Sequence, residues 1–282
     1  MQSIYAMHQN GSDNLEKEEK FLKFSIDNVQ DLYLIMLSSM IEIKIREVKF
    51  IDNPIFKLLE ENNSLSIALE TRKINNWQQN DDYILLLLED IKKSALYQSY
   101  MENPETSFEL DKQFVVDMFM ELIAPNEKLY DYLEDNKLTW IDDIPLVNTQ
   151  IVKQLKQFKS AADESFRVPK LFKDEEDREF AQYLFRRTVL NEAELAKEYV
   201  DKTPNWDTER IAEIDTIILK MAICEFLKFP SIPAKVTINE YLELAKEYST
   251  PKSSIFINGI LDNLIKDYAG TDKMKKIGRG LL

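Results

Sequence analysis

The chain has 282 residues, 44% of them hydrophobic and 30% charged, and its 36 Lys and Arg against 50 Asp and Glu leave a net charge of −14. It holds five glycines, one histidine and one cysteine, with no glycine between Ser12 and Asn258. These counts exclude a glycine-rich phosphate loop in that stretch, a His-based metal site and an internal disulfide, while the charge repels nucleic acid except at a local basic patch or through a basic partner.

The sequence reads as helices throughout. Met1, Ile4, Tyr5 and His8 follow helical spacing with no N-cap before them, so the chain reads as starting inside a helix, which Asn10 to Asp13 then stops. Leu22, Ile26, Val29, Tyr33, Met36, Met40 and Ile43 alternate steps of four and three. That pattern fits a coiled-coil seam or, more commonly, the long core helix of a bundle, with Lys44 to Lys49 as its solvated end. Pro54 opens a less regular stretch, and Asn75 to Asn80 reads as a loop. A helix is expected over Tyr83–Met101, another over Phe114–Ile123 and a short one over Leu129–Leu133. A last one in this part runs from Trp140 to Phe158, interrupted by Pro145. The apolar run Tyr83–Leu88 is far short of the roughly 20 residues of a membrane span, and Met1 to Asn14 has no signal-peptide character. A cytoplasmic chain with no membrane contact is expected.

Beyond Pro169 the helices are crisp and their connections short. The acidic run Asp174–Asp177 marks a helix start. Ile211, Ile214, Ile218, Met221 and Ala222 share one helical face, and a loop with Pro230 and Pro233 follows. Ile238, Leu242 and Ala245 share the next face. Ser249 or Thr250 caps a last helix, with Pro251 in its first turn. Gly259 falls inside that helix, where it costs about 1 kcal/mol against alanine, and close helix–helix approach is the expected reason. Residues 269–282 carry Lys273, Lys275, Lys276 and Arg279 and read as a flexible basic tail.

Catalytic chemistry finds no support. His8 reads as a surface or helix-edge residue, Cys224 as a small buried hydrophobe, and pairs such as Glu60-Glu61 and Glu89-Asp90 as solvated faces. No enzyme, metal or cofactor is expected.

One set of residues is more specific. It comprises Asn205-Trp206 with Arg210, the run Ile214–Leu219, Glu225-Phe226, Ile238-Asn239-Glu240 with Leu244-Ala245-Lys246, and Phe256-Ile257-Asn258-Gly259-Ile260-Leu261-Asp262. Together with Gln2-Ser3-Ile4-Tyr5 in the first helix, their order and spacing resemble the NusB family of bacterial transcription antitermination factors. The resemblance runs from Asp174 onward and implies an all-α fold, a NusB-like core of two packed three-helix bundles. In this chain it assigns 1–12 to the first helix of that core, 13–171 to a large helical insertion, 172–268 to the remaining core and 269–282 to the tail.

The resemblance also implies function. The family binds boxA-type RNA together with the ribosomal protein NusE, within the RNA polymerase antitermination complex, and promotes read-through, notably in ribosomal RNA operons. By resemblance Gln2, Tyr5, Lys220, Lys252 and Ser253 fall on the RNA side, and Asp215, Tyr248 and Phe256 on the partner side. Simpler roles stand beside these: Tyr5 and Phe256 as core, Lys220 and Lys252 as solvated lysines. Lys252 stands where some members carry an acid. The arginine-rich stretch that precedes the Gln-x-x-Tyr element in the family is missing before Gln2, so an upstream extension is expected, or weak RNA binding without it. Two alternatives remain: a helical module that binds NusE without RNA, and a targeting module of an RNA cytosine methyltransferase, for which the glycine-rich loop and nucleophilic cysteine are lacking. An acidic chain gains electrostatic steering toward a basic partner.

Overall fold

The computed structural model describes residues 1–200, 202 and 211–281. Fifteen α-helices and no β-strand occur among the described residues. The chain divides into two compact units, 24–171 and 1–23 with 172–282.

In chain order, α1 (Gln2–Gln9) is followed by α2 (Leu15–Arg46), a 32-residue helix with Glu16 and Glu18 in its first turn and Lys44 and Arg46 in its last. These charges complement the helix dipole at both ends. Leu32, Tyr33, Leu34, Ile35, Met36 and Leu37 are all buried. A helix buried on every side is a central core element, whereas a coiled-coil seam buries one stripe. Lys44 to Lys49 departs from the solvated end expected. Lys44 is buried and paired with Glu60, and Glu47 is buried, pairs with Lys92 and accepts from the Lys49 backbone N–H at 3.1 Å.

The stretch after Pro54 is also more regular than its composition suggests. It forms α3 (Pro54–Glu60) and α4 (Asn63–Arg72), capped by the Asn53 and Asn62 side chains. The expected loop at 75–80 contains α5 (Asn76–Gln79), whose Trp77 is buried and donates its indole N–H to the Ile35 carbonyl at 2.9 Å. The single helix expected over 83–101 is two, α6 (Asp81–Lys93) and α7 (Ala95–Glu102). Between them Ser94 turns extended (ψ 147°) and caps the second through its hydroxyl. Next come α8 (Phe108–Met118), a π-helical turn over Phe119–Ile123, α9 (Glu127–Asn136) and α10 (Ile144–Gln157). Pro145 lies in the first turn of α10, where its missing N–H has no partner to lose, so it opens this helix and does not interrupt it. The core of this unit runs from Leu32 to Phe166 and includes Trp77, Trp140 and a Phe50–Phe56–Phe114 aromatic group.

The other unit holds α1, the first residues of α2, and α11 (Glu175–Leu190), α12 (Glu192–Val200), α13 (Glu213–Lys228), α14 (Ala234–Tyr248) and α15 (Pro251–Tyr268). α13 is its centre. From Ile217 to Phe226 every residue of α13 except Lys220 is buried, including Cys224. α1, α11, α12, α14 and α15 all pack on it. Glu225 is buried too, accepting from Thr237 Oγ1 at 2.7 Å and Tyr241 OH at 3.1 Å. Burial pushes its carboxyl above the usual range, although both hydroxyls pull it down.

The basic tail is held along much of its described length. Ile277 N–H donates to the Pro230 carbonyl at 3.0 Å, Lys276 Nζ to the Phe229 carbonyl at 3.1 Å, and Met274 packs against the core. Gly280 is buried, and a Cβ there would stand 2.0 Å from the Pro230 carbonyl oxygen. Close backbone approach is thus a property of Gly280. At Gly259, where it was expected, a Cβ would meet nothing within 4 Å.

Candidate functional site

The residues singled out by sequence fall on α1, α13, the end of α14 and α15. α1 turns Ile4 and Met7 into the core and leaves Gln2 and Tyr5 exposed, Tyr5 by 36%. One turn further, His8 reaches two carboxylates. Its Nδ1 lies 2.9 Å from Glu213 Oε1 and its Nε2 2.8 Å from Glu192 Oε1. Carboxylates only accept, so both ring nitrogens donate here only when the ring carries two protons. The other oxygen of Glu192 accepts from Lys220 Nζ at 2.6 Å, and that of Glu213 from Gln9 at 2.6 Å. Burial raises the Glu192 carboxyl, but the hydrogen bonds from Lys220 and His8 outweigh it and hold the group below its ordinary value. Lys220, read from sequence as a phosphate contact, is thus committed to an internal carboxylate, and its side chain is only 14% exposed.

Asp215 and Ser253, assigned by sequence to different ligands, bind each other. Ser253 Oγ donates to Asp215 Oδ2 at 2.7 Å, and both residues are buried. This bond ties the first turn of α13 to the first turn of α15, beside the Thr250 side chain that caps α15. Among the described residues Asp215 Oδ1 has no hydrogen-bond partner. A buried carboxylate oxygen left unpaired is costly, on the order of 1–3 kcal/mol, and is a ready acceptor.

α15 then carries an open groove of about 440 Å³, lined by Lys202, Lys252, Ile255, Phe256, Gly259, Ile260 and Asn263. Lys252 and Gly259 are exposed, Phe256 is half-buried, and Ile255 is 75% exposed. Tyr248, at the end of α14, is half-buried. The structure therefore brings Lys252 and Phe256 together, one turn apart on the same face, with Gly259 keeping the groove open. Sequence reasoning missed Ile255, although the steps 252, 255, 256, 259 and 263 mark one helical face. It also missed Glu192 and Glu213, which sit far from His8 in sequence. Asn205, Trp206 and Arg210, part of the resemblance, lie outside the described residues.

The described residues form an all-α protein with a groove on the outer face of its last long helix. Among the described residues no group of three or more His, Cys, Asp or Glu is placed to hold a metal ion, and no helix is long and apolar enough to cross a membrane. The NusB family model matches residues 146–266. Over 117 residues the chain is 45% identical to the transcription antitermination protein NusB of Salinibacter ruber, which covers 41% of this chain and 72% of that protein. It is 44% identical to the protein of the same name from Dictyoglomus turgidum over 90 residues, 32% of this chain and 60% of that one. It is 43% identical to that from Clostridium kluyveri over 100 residues, 36% of this chain and 62% of that one. No solved structure matches the chain. The chain belongs to the NusB family.

Proposed function

We propose that this chain is a transcription antitermination factor without enzymatic activity. In this reading it binds boxA-type RNA together with NusE in the cytoplasm, and promotes read-through by RNA polymerase, notably in ribosomal RNA operons. The observation that carries the reading is the 45% identity to a protein named for antitermination across 72% of that protein's length. The α15 groove supports it: a half-buried aromatic, an exposed isoleucine and an exposed lysine on one face suit a protein partner that also presents RNA.

In this reading Phe256 and Tyr248 contact NusE, and Gln2, Tyr5 and Lys252 contact RNA. Asp215 meets a partner donor through its unpaired Oδ1, and Ser253 acts by holding Asp215. Lys220 contributes only when Glu192 releases it. With so few free cations in this set, the chain alone should hold RNA weakly, on the order of 10⁻⁶ M, and more tightly with NusE.

A second reading, a module that binds NusE without RNA, is favoured by one observation. Lys220 is ion-paired and Ser253 buried, which leaves Gln2, Tyr5 and Lys252 as the exposed members of the RNA set. A pull-down of the tagged chain with purified NusE, with and without boxA RNA, separates the two. Joint retention of NusE and RNA, reduced by Phe256→Ala, supports the first. Retention of NusE alone supports the second, and retention of neither overturns both.

A further inference from the structure

Residues 24–171 form a compact unit of their own. Within this unit α6 and α9 run side by side and antiparallel. The Tyr83 and Tyr132 rings are 4.7 Å apart between centroids, and at the opposite end of α6 Asn126 Nδ2 lies 3.4 Å from Asp90 Oδ2. α6 buries Ile84, Leu87, Leu88 and Ile91. Its outer face repeats Asp82, Leu85, Leu86 and Glu89, with Leu85 48% and Leu86 37% exposed. Charged and polar residues are the usual occupants of such a face. The exposed positions of α9 are Glu127, Asp131, Glu134 and Asp135 with the single cation Lys128 among them, besides Tyr130 and Asn136. Among the described residues Asp81, Asp82, Asp131 and Glu134 make no ion pair, while Lys92 is already taken by Glu47 and Lys93 by Glu89.

We propose that this face docks a cationic amphipathic helix of a partner protein, with its apolar side on Leu85 and Leu86 and its Lys or Arg residues against the acids of α6 and α9. Charge decides the occupant. Residues 24–171 hold 26 acidic and 16 basic residues, so −10 of the chain's −14 resides here. RNA, anionic lipid and a second copy of this unit are all repelled. A basic helix gains steering from the same field, and burial of the two leucines adds an apolar anchor of the kind that helix-recognition surfaces use. The inference is independent of the antitermination reading, since it concerns other residues and needs neither NusE nor boxA RNA.

The test uses the full chain and a fluorescein-labelled amphipathic Leu/Lys helical peptide, followed by anisotropy. A scrambled peptide of the same composition is the control. Saturable binding is expected, stronger than that of the scramble. Affinity should fall about tenfold or more in Leu85→Ser/Leu86→Ser, as expected for losing an interface anchor, and similarly in Asp82→Lys/Glu89→Lys. It should also weaken as salt shortens the screening length from about 10 Å at 0.1 M to about 3 Å at 1 M. All four positions are exposed, so both variants should melt cooperatively; Asp82→Lys/Glu89→Lys should lose a little stability at the α6 N-terminus and in the Glu89–Lys93 pair. No saturable binding, equal binding of the scramble, or unchanged affinity in either folded variant overturns the proposal. So does self-association, or capture of RNA or anionic vesicles, that these same substitutions abolish.

Discussion

Two glycines separate two meanings of the same residue. Gly259 is helical, and a Cβ there meets only open space. Gly259→Ala should therefore stabilise the fold by about 1 kcal/mol through helix propensity, seen as a higher melting temperature. It should also weaken partner binding, because the added methyl narrows the groove. Gly280→Ala should do the reverse, since its Cβ would stand 2.0 Å from the Pro230 carbonyl oxygen. Relieving such a clash costs on the order of 1–3 kcal/mol, and the C-terminal segment should become open to proteases. Equal melting temperatures for the two variants would contradict this assignment. The sequence offered Gly259 as the candidate because it interrupts a helix. Nothing local to Gly280 announces that Pro230 lies against it.

That contrast extends to the helices. α13 was legible from its apolar residues alone, since Ala212 offers it no side-chain cap, and α15 from both pattern and cap, with Thr250 capping it and Pro251 in its first turn. The break at Ser94 was not, because apolar residues continue across it and only the hydroxyl bond to the Tyr97 N–H marks the new start. α5 escaped because four polar-flanked residues form a helix only where the core receives Trp77. In the candidate site, Lys252 and Phe256 were legible as neighbours on one face, whereas the pairing of Asp215 with Ser253 crosses 38 positions of sequence. The network around His8 joins three helices by the same kind of distant pairing, and it has a measurable acid signature. In the folded state Lys220 and His8 hold the Glu192 carboxyl below its ordinary value, against the upward push of burial. A lowered carboxylate contributes stability above its unfolded value, and that contribution is lost as pH falls through the folded value. Glu192→Gln should thus lower the urea midpoint at pH 7, and its difference from the parent should shrink as the pH is taken below about 4.3, the ordinary glutamate value. A constant difference across that range would remove Glu192 from the account of acid stability.

At the scale of the whole molecule, each unit has its own apolar core. Among the described residues one cluster draws only on positions between 29 and 168, the other only on positions up to 22 and from 180 onward. Replacing 24–171 by a short Gly/Ser linker should therefore leave a chain that melts cooperatively and, in the proposed function, still retains NusE. A non-cooperative melt would show that the remaining core depends on the excised residues. The excision also changes the electrostatics: it removes −10 of the charge and leaves −4. If NusE is steered by the whole chain's field, its association should slow and lose much of its salt dependence, while its dissociation rate changes little.

The lone cysteine has a use of another kind. Cys224 sits in the middle of α13, and burial pushes its thiol pKa up, which suppresses the reactive thiolate. Trp77 and Trp140 are both buried within 24–171. With the third tryptophan replaced (Trp206→Phe), the chain carries separate chromophoric and chemical reporters. The rate at which a thiol reagent modifies Cys224 acts as a clock for opening around the central helix of the family core, while emission from Trp77 and Trp140 follows the other unit. Partner binding near α13 that slows the clock without moving the emission would locate the ordering it causes, with no label added to the protein.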